Sequence, residues 1–132
     1  MQRGLSLLEL LIVLALTGML AAIAYPSYQA SLHSAARSEV VALLHDAAQR
    51  LERHYAITGQ YVDTEPRQVA LPAGTSYYRL SAQRHATGFT LLAARRPQAI
   101  MANDACGDFQ LDHAGVRANP GGEHSGQACW GS

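Results

Sequence analysis

Glu9 is the only charged residue among the twenty positions from Leu5 to Ala24, a run otherwise made of apolar and small residues. Twenty residues in a helix rise about 30 Å, close to the hydrocarbon thickness of a bilayer. An ionised carboxylate at mid-membrane costs on the order of 2.5–3.5 kcal/mol on insertion scales. A residue kept at that cost calls for a cation, so the chemistry expected of Glu9 is ion pairing in dry surroundings. Two ordinary explanations give it no such role. A secretory signal would use Arg3 as its positive leader and Ala22-Ile23-Ala24 as a small-x-small cut site. A plain anchor would only need Arg3 to stay inside.

The remaining reactive residues point to no catalysis. His33, His45 and His54 fall on a helical pattern, where a polar-face or partly packed histidine is expected, and His85, His113 and His124 fall in turns or strands. There is no HExxH pair, no carboxylate dyad and no nucleophile elbow, and His124-Ser125-Gly126 has adjacency alone. We expect no enzyme, no cofactor and no resident metal. Asp104, Asp108, Asp112 and Glu123 could be arranged around Ca²⁺, but the spacing of four also suits solvent-facing positions. Arg79, Arg84, Arg95, Arg96 and Arg117, with Tyr77, Tyr78 and Phe89 nearby in sequence, could form a basic, aromatic grip on DNA. Against it, ten basic residues, all Arg, balance ten acids over 132 residues. Neutrality argues against a generic nucleic-acid surface.

The elements that would position these groups follow from periodicity. Past Pro26, Leu32, Ala36, Val40, Leu43, Ala47, Leu51 and Tyr55 recur at steps of three or four, with Leu44 and Ala48 beside them, which predicts an amphipathic helix. Arg37, Glu39, Asp46, Gln49, Arg50, Glu52 and Arg53 belong on its wetter face. Thr58-Gly59 ends it. Residues 60–75 read as a surface loop. Strands are expected at 77–82, 88–94 and 109–113, followed by a Gly-rich tail at 119–126 that cannot hold itself. One long helix followed by a few strands makes an α+β layout with an antiparallel sheet of about three to four strands.

The ordered residues Gly4, Leu5, Ser6, Leu7, Leu8 and Glu9, behind the short leader Met1-Gln2-Arg3, resemble the N-terminal signal of type IV prepilins, with Leu5 where Phe is usual. Gly18 and Pro26 stand where pilins commonly carry a helix-loosening Gly and a kinking Pro. Tyr77-Tyr78, Cys106-Gly107, Leu111-Asp112 and Cys129-Trp130 extend the resemblance to the PilE-type minor pilins. It implies the type IV pilin fold: a long helix packed on a small sheet, with a C-terminal disulfide loop. It also implies three segments: a leader (1–4), the membrane and assembly half of the helix (5–27), and the amphipathic half with a globular head (28–132). A prepilin peptidase would cut after Gly4 and methylate Leu5, which stays cationic. Glu9 of one subunit could then pair with the Leu5 ammonium of its neighbour and set register.

With Arg3 inside, Cys106 and Cys129 lie on the oxidising side, where a disulfide is expected. It would close 22 intervening residues, worth about 3 kcal/mol on the chain-entropy model. The competing arrangement, a metal site of Cys106, His113, His124 and Cys129, matches no zinc spacing. The functions implied are those of a minor subunit of a type IV pilus: biogenesis, twitching motility and adhesion. It would be stored in the bacterial inner membrane with its head in the periplasm, and later sit in an extracellular filament. Its partners would be other pilin subunits, the peptidase, the inner-membrane assembly machinery and the membrane itself. Two alternatives stay open: a DNA-uptake pilin, and a type II secretion pseudopilin, a class of which some members hold Ca²⁺ in a C-terminal acidic loop and generally lack the disulfide.

Overall fold

A computed structural model describes residues 4–131. Its first element is α1, Leu7–Thr58, followed by β1 Tyr78–His85, β2 Gly88–Arg95, β3 Phe109–Asp112, β4 Arg117–Ala118 and a short closing turn of helix, α2 Gln127–Trp130. The chain divides into two compact units, residues 1–32 and 33–132, with α1 contributing to both.

In the first unit the helix is apolar on every side, and none of its hydrophobic window is covered within the chain. A helix apolar all round is the pattern of a membrane span or of a helix buried among others.

In the second unit α1 becomes one-sided. Ala36, Val40, Leu44, Ala47 and Leu51 are buried, at steps of four, four, three and four. Leu43 lies at the flank and Leu44 in the centre. Each step of four residues advances the stripe by 40°, and the single step of three turns it back. The stripe continues into His54, which is buried and hydrogen-bonded through Nε2 to the Val62 carbonyl, while Tyr55 faces outward at 40% exposure. Gly59, in the left-handed region at φ 75°, donates its N–H to the Tyr55 carbonyl at 2.7 Å and ends the helix.

The sheet is antiparallel with order β1-β2-β3-β4. Leu80 pairs with Ala93, Ala82 with Leu91, Leu91 with Leu111 and Ala93 with Phe109, so one face is apolar across three strands. That face, with Tyr78 and Met101, closes on the helix stripe as one core. Each of the larger side chains contributes roughly 1.5–3 kcal/mol through burial. β1 runs on to His85, beyond the expected end at residue 82, and the connection to β2 is a two-residue hairpin. A fourth strand falls within the expected three to four, but the sequence assigns no position to β4 and does not predict α2. They are two and four residues long, too short to show a period.

The Gly-rich tail is held by the loop it crosses. Asp108 N–H donates to Pro120 O, and the Glu123 and His124 N–H groups donate to Ala105 O. Cys106 and Cys129 are disulfide-bonded. Gly107 has φ 66°, and a Cβ there would collide with Pro120 O and the Gly122 backbone, so this crossing requires glycine. Trp130 then packs on Phe109 and donates its indole N–H to Asn119 at 2.9 Å.

Replacing the central Leu44 by Ala should lower unfolding free energy by about 2–5 kcal/mol. Ser38→Ala, on the exposed side of the same helix, should change it by less than about 0.5 kcal/mol. Denaturant titration of the full chain in detergent separates the two.

Candidate functional site

Three places carry the residues singled out by sequence. The first is the apolar span. Gly4, Leu5 and Ser6 precede the helix, and Glu9 sits in its first turn, where the unpaired N–H groups favour a negative charge. Leu5, Leu7, Leu8 and the apolar residues through Ile23 are largely exposed, Ile23 at 74%. Met1 to Arg3, including the expected leader cation, lie outside the described residues. Gly18 faces open space, so no neighbour in its own chain requires a glycine there. Pro26 lies inside the helix. It has no N–H to give the Ala22 carbonyl.

The second place is a clamp around Asp104, which sequence placed on the surface. Asp104 is buried, and that position is corrected. Arg37 reaches its two oxygens through Nη2 at 2.6 Å and Nε at 3.0 Å. His33 Nδ1 lies 3.4 Å away, and the Cys106 N–H donates to the same carboxylate at 3.2 Å. Burial would raise this carboxyl, but the Arg37 guanidinium, the Cys106 amide and His33 outweigh it and hold it below the usual carboxylate range. The helical period puts Arg37 on the wetter face, and its partner, 67 residues away, gives no local signal. The clamp fixes helix α1 to the loop that carries the disulfide. Beside it, Tyr78 is fully buried, its hydroxyl has no hydrogen-bond partner among the described residues, and burial pushes that group up.

The third place is the set of head arginines, which the structure disperses. Arg84 forms a two-pronged pair with Asp63 at 2.8 and 3.0 Å. This pair and the Val69 N–H hold the Asp63 carboxyl down at about 2. Arg95 is bound to Asp108 and to the carbonyls of Ala102 and Asp104. Arg117 lies over the Trp130 ring at 5.5 Å. Tyr78 and Phe89 are buried in the core. Among the described residues of this set, Arg79 and Arg96 come together with Tyr77 in a groove of about 550 Å³ that residues 97–100 also line.

The same dispersal removes the candidate Ca²⁺ set. Asp104 and Asp108 are engaged by arginines, and Asp112 Oδ1 accepts the Ala114 and Val116 N–H groups to shape the β3–β4 turn. Among the described residues no three His, Cys, Asp or Glu are grouped to hold a metal ion. The disulfide takes both thiols out of the Cys106, His113, His124 and Cys129 set.

Residues 26–110, well over half of the chain, match the family of the type IV minor pilin ComP, DNA uptake sequence receptor, and residues 1–25 match the prokaryotic N-terminal methylation motif. The chain belongs to this family of type IV minor pilins. A curated relative, the type IV major pilin protein PilE1 of Neisseria gonorrhoeae, is 37% identical over 73 residues, 55% of this chain and 34% of that one. The match thus spans about a third of that relative's length. The non-core minor pilin PilV of Neisseria meningitidis has the same fold, with a TM-score of 0.55 and 23% identity, covering 72% of this chain and 93% of that one. A type IV pilin from Shewanella oneidensis aligns at 32% identity over 68% of this chain and 94% of its own, with a TM-score of 0.48.

Asp104→Asn should cost about 3–5 kcal/mol, as for a buried ion pair losing one partner, and toward the lower end because Arg37 is 26% exposed. A depressed folded pKa contributes stability that is complete above the unfolded value, 3.8, and is lost as pH falls through the folded value. Melting temperature should therefore fall as pH drops below about 4, through about 2 for Asp63, and less steeply in Asp104→Asn because one of the two depressed carboxyls is gone.

Proposed function

We propose that this chain is made as a prepilin, cut after Gly4, methylated at Leu5, stored in a membrane through residues 5–24 and transferred from there into a type IV pilus as a minor, non-enzymatic subunit. The observation that carries this reading is the span itself. Its apolar side chains are exposed around the whole circumference of the helix, and a single carboxylate interrupts them near the start. Such a surface is compatible with water nowhere along its length, so it needs lipid first and other apolar helices later. Packing among identical helices is degenerate along the axis. Pairing of Glu9 with the cleaved amine of a neighbour's Leu5 would select one register, because sliding past it leaves a buried charge alone. Prepilin peptidase, the inner-membrane assembly machinery, and the tasks of motility and adhesion come with this reading. The kink at Gly18 and Pro26 belongs to it too, as the place where the helix could bend to meet its neighbours.

The test is Glu9→Ala in the native host. The variant should still be processed to a mature amino terminus at Leu5, read by mass, and should still fractionate with the membrane. It should be missing from sheared filaments. Normal incorporation would remove the register role from Glu9.

A second reading, that the subunit holds DNA during uptake, has one structural observation in its favour beside the name of the matching family. Arg79 is exposed, and Arg96, tied to Thr75 O by its Nε, shares a groove with it and with Tyr77. Phosphate contacts of this kind make binding fall with salt at a slope of about 0.9 per contact. Double-stranded DNA should therefore bind at low salt, and Arg79→Ala with Arg96→Ala should weaken binding and lower the slope by about 1.8. Arg95, held by Asp108, is not part of that grip. Absence of binding at low salt would dispose of the DNA reading and leave the assembly reading untouched.

A further inference from the structure

The geometry points to Tyr25 and Tyr28 as the anchors that fix the stored subunit's depth, with their phenol tips among the phospholipid headgroups of the outer boundary. This rests on the membrane-storage reading above and adds where the boundary falls. Tyr25 directly follows the last residue of the apolar run and Tyr28 comes three positions later, so the two project from neighbouring parts of one helical turn. Both are open to their surroundings, at 68% and 63% exposure. Each is an apolar ring with a polar tip, the combination that settles at a lipid–water interface. Gln29, one turn beyond Tyr25, donates its amide to the Tyr25 hydroxyl at 3.2 Å and starts the polar side of the boundary.

The backbone agrees with this placement. Because Pro26 has no N–H, the Ala22 carbonyl loses the i+4 bond that the rest of the helix makes. An unpaired carbonyl costs several kcal/mol deep in hydrocarbon but little where water and headgroups reach it. The level that suits the phenols therefore also brings water and headgroups toward the carbonyl that the proline deprives of its usual donor.

Fixing that end fixes the other. Glu9 lies sixteen residues before Tyr25, about 24 Å along the helix axis. In a core about 30 Å thick it comes near the inner boundary, not the midplane. The carboxylate is then inexpensive to store and becomes costly only when the helix leaves the bilayer for a dry bundle.

The experiment uses the full chain in phosphatidylcholine vesicles whose acyl chains are brominated either near the headgroup or near the chain end. Trp130, the one native tryptophan, is buried in the second unit and serves as the constant background. In Tyr28→Trp, the added fluorescence should be lost mainly to shallow bromines. In Leu14→Trp, about 16 Å inward of Tyr25, it should be lost mainly to deep ones. Deep quenching at position 28, or none, together with deep quenching at position 14, would overturn the anchor alone. No quenching at position 14 would overturn membrane storage and the anchor with it.

Discussion

A helix that is apolar on every side and uncovered by its own chain cannot be the end state of a protein in water. Everything else about this subunit answers that constraint. The first 32 residues solve it by borrowing surroundings, and the remaining hundred solve it internally, by turning the same helix one-sided and closing a sheet against the stripe. The change from one solution to the other is written in composition. Leucine and isoleucine at successive positions give way to a stripe of Ala36, Val40, Leu44, Ala47 and Leu51, separated by Ser, Glu, Asp and Arg.

The internal solution is small, so it leans on two links of different kinds that meet in one loop. Asp104 and Cys106 are two residues apart. One ties the loop to helix α1 through Arg37, and the other ties it to the chain terminus. A buried carboxylate with an arginine, a backbone amide and an imidazole around it is specific more than it is strong, since desolvation offsets much of the attraction. The disulfide gives no directional choice but limits the unfolded chain. Together they make the connection between β2 and β3 part of the core, with Met101 buried, though it has no regular structure of its own.

The parts legible in sequence were those with a repeating physical signature. The apolar run, the helical stripe, the stop at Thr58-Gly59 and the three longer strands all announce themselves within a few residues. Even there the period could not separate Leu43 from Leu44, or show that His54 and not Tyr55 extends the stripe, because adjacent positions differ by only 100° and burial depends on the partner surface. What was not legible depended on distant pairing. Arg37 with Asp104, Arg84 with Asp63 and Arg95 with Asp108 are 67, 21 and 13 positions apart, and each converts what read as a loose surface charge into a structural link. That is why a stripe of head arginines suggested by sequence is mostly spoken for. The same pairing rules removed the acidic cluster, which sequence could only describe as evenly spaced.

The short turn α2 carries a redox consequence. Gln127–Trp130 supplies both Trp130 to the core of the domain and one half of the disulfide. The cover that Trp130 places over Phe109 is therefore tied, one residue away, to the Cys106–Cys129 bond. Reduction of that bond frees the segment carrying Trp130 and loosens the apolar seal over Phe109, so an oxidising compartment keeps the domain closed.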